Sequence, residues 1–263
     1  MKLNLKFVLR KFLPKSTLAH RILSGPLRGQ RIITSWHDYP AAITGNTEKP
    51  LLKWFSDNVK RGTTWLDVGA HYGYTAIALS RLVGEEGRVF AFEPMLRTAG
   101  YLTQTRALNK FTQLNVLPLA LGSSENIEMM QLPTTRGMVD STILTRVRYE
   151  IHDELNENIM LARLDWLWPK ICGEHPQIDG VKIDVQGMEI EALRGMLNLL
   201  KSFKPKLVLE VHKGVDRNEL LNLITACGYS LHATPIQPVP GEAEAQYIDD
   251  MSYAFDTLQD KPI

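Results

Sequence analysis

From Thr63 onward the chain alternates short apolar runs with helical patterns, and no other feature of the sequence narrows its fold so far. Strand-like runs lie at 64–68, 88–92, 114–119, 180–185, 206–211, 229–235 and 251–257. Between them Thr75, Ala78, Leu79 and Leu82 fall at i, i+3, i+4, i+7, the spacing of one helical face. Leu193, Met196, Leu197 and Leu200 repeat that spacing, as do Leu220, Leu223, Ile224 and Cys227. Strands alternating with helices of this length predict an α/β fold around a mostly parallel, doubly wound sheet. Val181–Val185 and Lys206–Val211 suit strands covered on both faces.

At 263 residues and 44% hydrophobic content, one large α/β domain with a small extension accounts for the whole chain and excludes a disordered one. The domain is expected over 61–263, behind a basic N-terminal extension over 1–60. One gap interrupts the alternation. Residues 122–178 carry only weak signals, and an insertion of this length between a third and a fourth strand is expected to shape a substrate site. Cys172 and Cys227 stand alone, outside any C-x-x-C spacing, so neither a disulfide framework nor a thiolate zinc site is expected and a cytoplasmic location is.

In an open α/β sheet, ligands bind beyond the carboxyl ends of the strands where strand order reverses. The first strand run ends in Asp67-Val68-Gly69-Ala70-His71-Tyr72-Gly73 and passes straight into a helix. The second ends in Phe92-Glu93-Pro94, with Glu93 twenty residues after Gly73. That matches the offset of roughly 20 residues at which an acidic side chain meets a ribose in nucleotide-binding βαβ units. The ligand is therefore expected to carry adenosine. The fingerprint G-x-G-x-x-G fits in no register, because Val68, Ala70, His71 and Tyr74 occupy the places where further glycines would stand. A carboxylate at Asp67 would also repel a pyrophosphate. A cationic, phosphate-free ligand such as S-adenosylmethionine meets both conditions, and a nicotinamide-dependent oxidoreductase is the weaker alternative.

Those residues, with Leu119-Ala120-Leu121-Gly122, Leu164-Asp165, Val181-Lys182-Ile183-Asp184-Val185-Gln186-Gly187-Met188-Glu189 and Leu209-Glu210-Val211-His212, resemble the FkbM family of S-adenosylmethionine-dependent O-methyltransferases. The resemblance spans roughly 44–235. Gln186 departs from the glutamate frequent in the family, and His71-Tyr72 from Asn-Ile. The resemblance implies a class I methyltransferase fold, a Rossmann-like sheet of seven strands ordered 3-2-1-4-5-7-6 with the last strand antiparallel. It implies transfer of a methyl group to a hydroxyl of a sugar, glycan or natural product. Asp67 with Gly69, Ala70, His71 and Gly73 would take the methionine end of the cofactor, and Glu93 beside Pro94 the ribose. Asn109 and Ala120 would lie near the adenine. Asp184 and His212 are the candidate general bases, Glu210 orienting His212, whose pKa is expected near neutrality. Metal is not part of this reading, although Asp184, Glu210 and His212 together form an alternative divalent-cation site.

The formal net charge of +1 conceals a division. Residues 1–31 hold eight basic groups and no acidic one, leaving 22 basic against 29 acidic groups in the rest. The acidic body lacks the basic groove that nucleic acid requires. Leu5, Val8, Leu9 and Phe12, interleaved with Lys2, Lys6, Arg10 and Lys11, give residues 1–15 a basic amphipathic pattern. It suits either peripheral contact with an anionic membrane at its inner face or packing on the domain itself. A catalytically idle cofactor-binding or membrane-associated scaffold is the reading from another class.

Overall fold

The computed structural model describes residues 13–133, 142–143, 154–242 and 244–258. The amphipathic pattern of residues 1–15 falls for the most part outside them. Along the chain, a hairpin of β1 (Leu18–Arg21) and β2 (Arg31–Thr34) is followed by helices α1 (Pro40–Thr44) and α2 (Lys49–Asn58). The regular alternation then runs β3 (Thr64–Val68), α3 (Tyr74–Val83), β4 (Arg88–Phe92), α4 (Leu96–Asn109) and β5 (Leu114–Leu117). Next come β6 (Ala120–Leu121), β7 (Asn126–Pro133), β8 (Thr142–Ile143), β9 (Glu154–Ala162) and α5 (Leu164–Ile171). The chain closes with β10 (Gly180–Ile183), α6 (Glu189–Gly195), α7 (Leu197–Phe203), β11 (Lys206–Val211), α8 (Arg217–Ala226), β12 (Thr234–Pro235) and β13 (Met251–Phe255).

Seven strands form one sheet in the order β5-β4-β3-β10-β11-β13-β12. Counted along the chain they read 3-2-1-4-5-7-6, and only β13 runs against its neighbours β11 and β12. β3 is parallel to β4 on one side and to β10 on the other, so strand order reverses at its carboxyl end. Two apolar layers cover the sheet. One packs Leu66, Phe90, Ile183, Leu209 and Tyr253 under α5, α6, α7 and α8. The other packs Trp65, Val89, Ala91, Val208 and Ala254 under α3 and α4.

Residues 14–58 do not stand apart from this body. Ile22, Leu27, Ile32, Leu51, Leu52 and Phe55 lie in the same core as Trp65 and Ile77. Asn109 holds the backbone of Arg31 at both its N–H (2.8 Å) and its C=O (2.6 Å), and Thr105 accepts from the N–H of Ile33.

The periodicity over Leu193–Leu200 predicts one helix, whereas the structure has two, broken at Met196. At the end of the first of them Gly195 lies against the insertion, where a Cβ would stand 1.9 Å from the carbonyl oxygen of Gly122. The chain bends where it must meet the start of the insertion. That insertion is a second sheet, β6-β9-β7-β8, rather than irregular chain. Ile127 and Met160, paired across β7 and β9, and Met129 face outward, while Met130, Ile159 and Leu161 face the body. Apolar residues on both faces erase the alternation that would reveal these strands in the sequence.

Candidate active site

At the carboxyl end of β3 the chain turns through Gly69 and Gly73 into α3. Gly69 has a φ of 79°, and a Cβ on it would stand 1.8 Å from the carbonyl oxygen of Asp184, so the turn is pressed against the end of β10. The glycine is required by this backbone approach. Glu93, at the end of β4, accepts a hydrogen bond from the N–H of His71 (2.9 Å) and another from that of Met95 (3.1 Å). Its carboxyl thereby ties the β3 turn to the β4 turn. Burial pushes its pKa up to about 7 against the pull of those two N–H groups. His71 is itself in the left-handed region, with φ 50°, and its buried Nε2 has no hydrogen-bond partner. Burial lowers its pKa to about 4.

Asp67 departs from the role expected of it. Its side chain is 0% exposed, accepts a hydrogen bond from Thr75 Oγ1 (2.7 Å) and lies 3.1 Å from Lys182 Nζ. It has no surface to offer, and its contacts go to Lys182 and Thr75. Lys182 also donates to the carbonyl of Gly69 (3.0 Å) and stands 3.3 Å from Asp184 Oδ2, so its ammonium lies between two carboxylates. Although burial disfavours its charge, Asp67 and Asp184 hold its pKa above the ordinary lysine value.

The other half of the mouth stands at the ends of β10 and β11. His212 is 6% exposed, which excludes a solvated strand-end histidine. Its Nε2 lies 3.5 Å from Asp184 Oδ1, 3.5 Å from Glu210 Oε1 and 3.0 Å from Gln186 Nε2. Its Nδ1 lies 2.5 Å from Glu189 Oε1 at the first position of α6. Glu189, which is 0% exposed, is therefore the residue that orients His212, and Glu210 instead faces Nε2. Glu189 stands in the sequence motif, yet no spacing rule aims the first residue of a helix back at a neighbouring strand. Burial presses the His212 pKa down, but the hydrogen bond to Glu189 and the charges of Asp184, Glu189 and Glu210 carry it up to about 9, not near neutrality. Glu210, raised by burial and by Asp184, reaches about 7, while Ser252 Oγ donates to its Oε2 (3.2 Å). The N-cap of α6 is Met188, not Asp184, and no side-chain bond caps it.

Ala120 packs on the cluster containing Met95, just after Pro94, and Met188. Met130, Ile159 and Leu161 of the insertion join that cluster, so its sheet seats on the loops that follow β4 and β10. Asn109 is not brought to this mouth. The helix it ends starts beside Glu93 and runs away for 14 residues, roughly 20 Å at 1.5 Å per residue. Its amide fastens β2 instead. Sequence reading also passed over Tyr39 and Glu48, from the segment before the sheet. The Tyr39 ring lies 5.6 Å from that of His71, and the Glu48 carboxyl interacts with Asp184 and Lys182.

The mouth thus gathers Asp67, Asp184, Glu210 and Glu93 around Lys182, which is already paired with Asp67 and Asp184. A pyrophosphate would meet carboxyls there. The donor set fits S-adenosylmethionine, which brings two positive centres and no phosphate, with Glu93 available to a ribose. Asp184, Glu210 and His212 also offer ligand atoms within 4.8 Å of one another, as a cation would need, but Lys182 and Gln186 already approach two of them. Among the described residues no helix is long and apolar enough to cross a membrane.

The model of the methyltransferase FkbM domain matches residues 67–231. The hexuronic acid methyltransferase AglP of Haloferax volcanii is 28% identical over 189 residues, 72% of each chain. Among solved structures, methyltransferase FkbM from Methylobacillus flagellatus aligns with a TM-score of 0.49 and 16% identity over 82% of this chain and 53% of that one. The chain therefore spans about half the length of that protein. Fibrillarin from Aeropyrum pernix, solved with S-adenosyl-L-methionine bound, aligns with a TM-score of 0.47 and 14% identity over 91% and 88% of the two chains.

Proposed function

The chain belongs to the FkbM family of S-adenosylmethionine-dependent methyltransferases, and from that membership we propose that it methylates a hydroxyl of a sugar or glycan. The observation that carries the hydroxyl is the meeting of Asp184, Glu210 and His212 around one imidazole nitrogen, Nε2, which the Gln186 amide also approaches. An alcohol must lose its proton as its oxygen attacks, and this is the one task that requires a positioned base. The proximity of these groups also supports an enzyme over an idle scaffold. The sugar is supported by the curated relative, a hexuronic acid methyltransferase.

When bound, S-adenosylmethionine supplies a methyl group on a sulfonium that leaves as a neutral thioether. Glu93 accepts from the ribose hydroxyls while keeping its bonds to the N–H groups of His71 and Met95. The turn from Gly69 to Gly73, including Ala70, would hold the methionine end, and Ala120 the adenine. Glu189 fixes the His212 ring with Nδ1–H donating, which makes Nε2 the nitrogen that accepts the acceptor's proton, in place of the Gln186 amide hydrogen bond it otherwise holds. Asp184 and Glu210 flank that nitrogen and stabilise the imidazolium formed. The insertion sheet, seated on Met95 and Met188, excludes water from one side and bounds the acceptor.

Since Lys182 pairs with Asp184 and the Gln186 amide approaches His212, we assign the trio to proton handling rather than to metal. Incubating the enzyme with labelled S-adenosylmethionine and a panel of hexuronic acids, hexoses and phenols tests the reading. Label is expected in the sugars, with or without a chelator. Transfer confined to phenols would remove the sugar assignment, and a requirement for added Mg2+ or Mn2+ would turn the trio into ligands.

A further inference from the structure

We propose that the β1–β2 hairpin is a docking surface for an anionic membrane, on which the paired Arg21 and Arg31 take lipid phosphates and Leu18 and Leu23 enter the acyl boundary. The hairpin lies ahead of the family match, which begins at Asp67, and its arginine pair sits by Asn109, at the end of α4 remote from the mouth.

Arg21 and Arg31 stand directly opposite one another in the register of the hairpin, and both are exposed. Asn109 takes the N–H and the C=O of Arg31, so neither is left for β1 and the two arginines form a non-hydrogen-bonded pair. In such a pair the Cα atoms come to about 4.5 Å and both side chains leave the same face of the strands. Like charges placed opposite one another repel, and among the described residues no carboxylate forms an ion pair with either. The pair is therefore short of an anion.

The surroundings add to the same charge. Lys15 and Arg28 are exposed, exposed Lys110 follows Asn109, and Arg81 reaches the hairpin turn, where it donates to the carbonyl of Pro26 (2.6 Å). The first acidic residue of the chain is Asp38, and residues 1–12, which lead into this segment, bring Lys2, Lys6, Arg10 and Lys11. On either side of Arg21 along the chain, Leu18 is 59% and Leu23 56% exposed. The packing of the hairpin does not call for these leucines, because Ile22, Leu27 and Ile32 supply its share of the core. Its turn is also fixed in place, since a Cβ on Gly25, at φ 74°, would stand 2.6 Å from the carbonyl oxygen of Gly45. An anionic bilayer uses both features, its headgroups neutralising the arginines and its acyl boundary taking the leucines. A nucleic acid would neutralise the arginines and leave the leucines in water.

The test is sedimentation of the full chain with vesicles of phosphatidylcholine alone and of phosphatidylcholine with phosphatidylglycerol. The parent is expected to bind the second and not the first. Replacing both arginines (Arg21→Gln with Arg31→Gln) should weaken that binding about thirtyfold, about fivefold for each cation at the surface. Leu18→Ser with Leu23→Ser should weaken it about tenfold. Both double variants are expected to melt no lower than the parent, since one removes a repulsion and the other exposed apolar groups. Lys60→Gln with Lys201→Gln, exposed cations elsewhere on the molecule, should bind as the parent does. An equal loss in that control would reduce the effect to overall charge and overturn the proposal. Binding untouched by the arginine replacements would place the attachment in residues 1–12 and overturn it as well. Loss with the arginines but not with the leucines would make the surface a phosphate site that no bilayer enters, and a parent that binds both kinds of vesicle alike, or neither, would remove it altogether.

Discussion

The two halves of the mouth are built from the same side chain, a carboxyl at a strand end, and differ in what holds it. On the β3–β4 side Glu93 is held by two backbone N–H groups and Asp67 by a threonine hydroxyl and Lys182. On the β10–β11 side Asp184, Glu189 and Glu210 meet at His212, a group whose charge changes in the accessible pH range. Backbone donors do not titrate and cannot turn away, so the first arrangement keeps a fixed shape for a ligand. The second changes its protonation with its contents, which is what removal of a proton requires. The comparison predicts that substitutions on the two sides fail in different measurements.

The largest failure is expected from His212→Asn. Loss of a positioned base costs about a hundred- to ten-thousandfold in turnover, and S-adenosylmethionine affinity should stay within about threefold of the parent. Single-turnover rates read against calorimetric affinity make the test. A collapse of affinity with turnover per bound complex preserved would place His212 on the binding side and break the division.

Glu93→Gln comes next. It keeps one acceptor oxygen for the local N–H groups but removes the charge, and cofactor affinity should fall about ten- to thirtyfold. The pH dependence sharpens the point. With its pKa near 7, Glu93 in the free protein is about half protonated at neutrality, and only the carboxylate accepts from both ribose hydroxyls. Affinity should therefore rise between pH 6 and pH 8 in the parent and stay flat over that interval in the variant. A parent that binds equally tightly at both values would remove Glu93 from the ribose.

How much of this was legible in the sequence follows the same division. The β3 turn is contiguous, so its residues share a place whatever the rest of the fold does, and Glu93 follows from a fixed offset across one βαβ unit. Strand-end position alone marks Asp184, Glu210 and His212, but their pairing does not follow from it. Glu210 and His212 share a face at i, i+2, which suggests that one orients the other, whereas the closer partner is Glu189 on a different element. Asn109 was misplaced for a related reason: a helix end near a motif in sequence can lie a helix length away in space. Tyr39 carries no local signal, because the segment that delivers it reaches the mouth only by packing Leu51, Leu52 and Phe55 into the core beside Trp65.

Glu189→Gln has the smallest expected effect and tests the division most closely. The amide oxygen can still accept from His212 Nδ1, so the ring keeps its orientation, but the charge that stabilises the imidazolium is gone. Among the influences that raise the His212 pKa to about 9, this hydrogen bond is the largest. Removing the charge lowers the pKa by about one unit. A base must be unprotonated to act, so the rising limb of kcat/KM should move from about 9 toward lower pH by that amount in the free enzyme. The unprotonated fraction at pH 7 then increases while each nitrogen becomes a weaker base, and the two changes largely offset one another in rate at neutrality. Cofactor affinity should not move. A structural role for Glu189 would lower activity at every pH and leave the limb in place, whereas a limb that shifts with Glu210→Gln but not with Glu189→Gln would return the orienting role to Glu210.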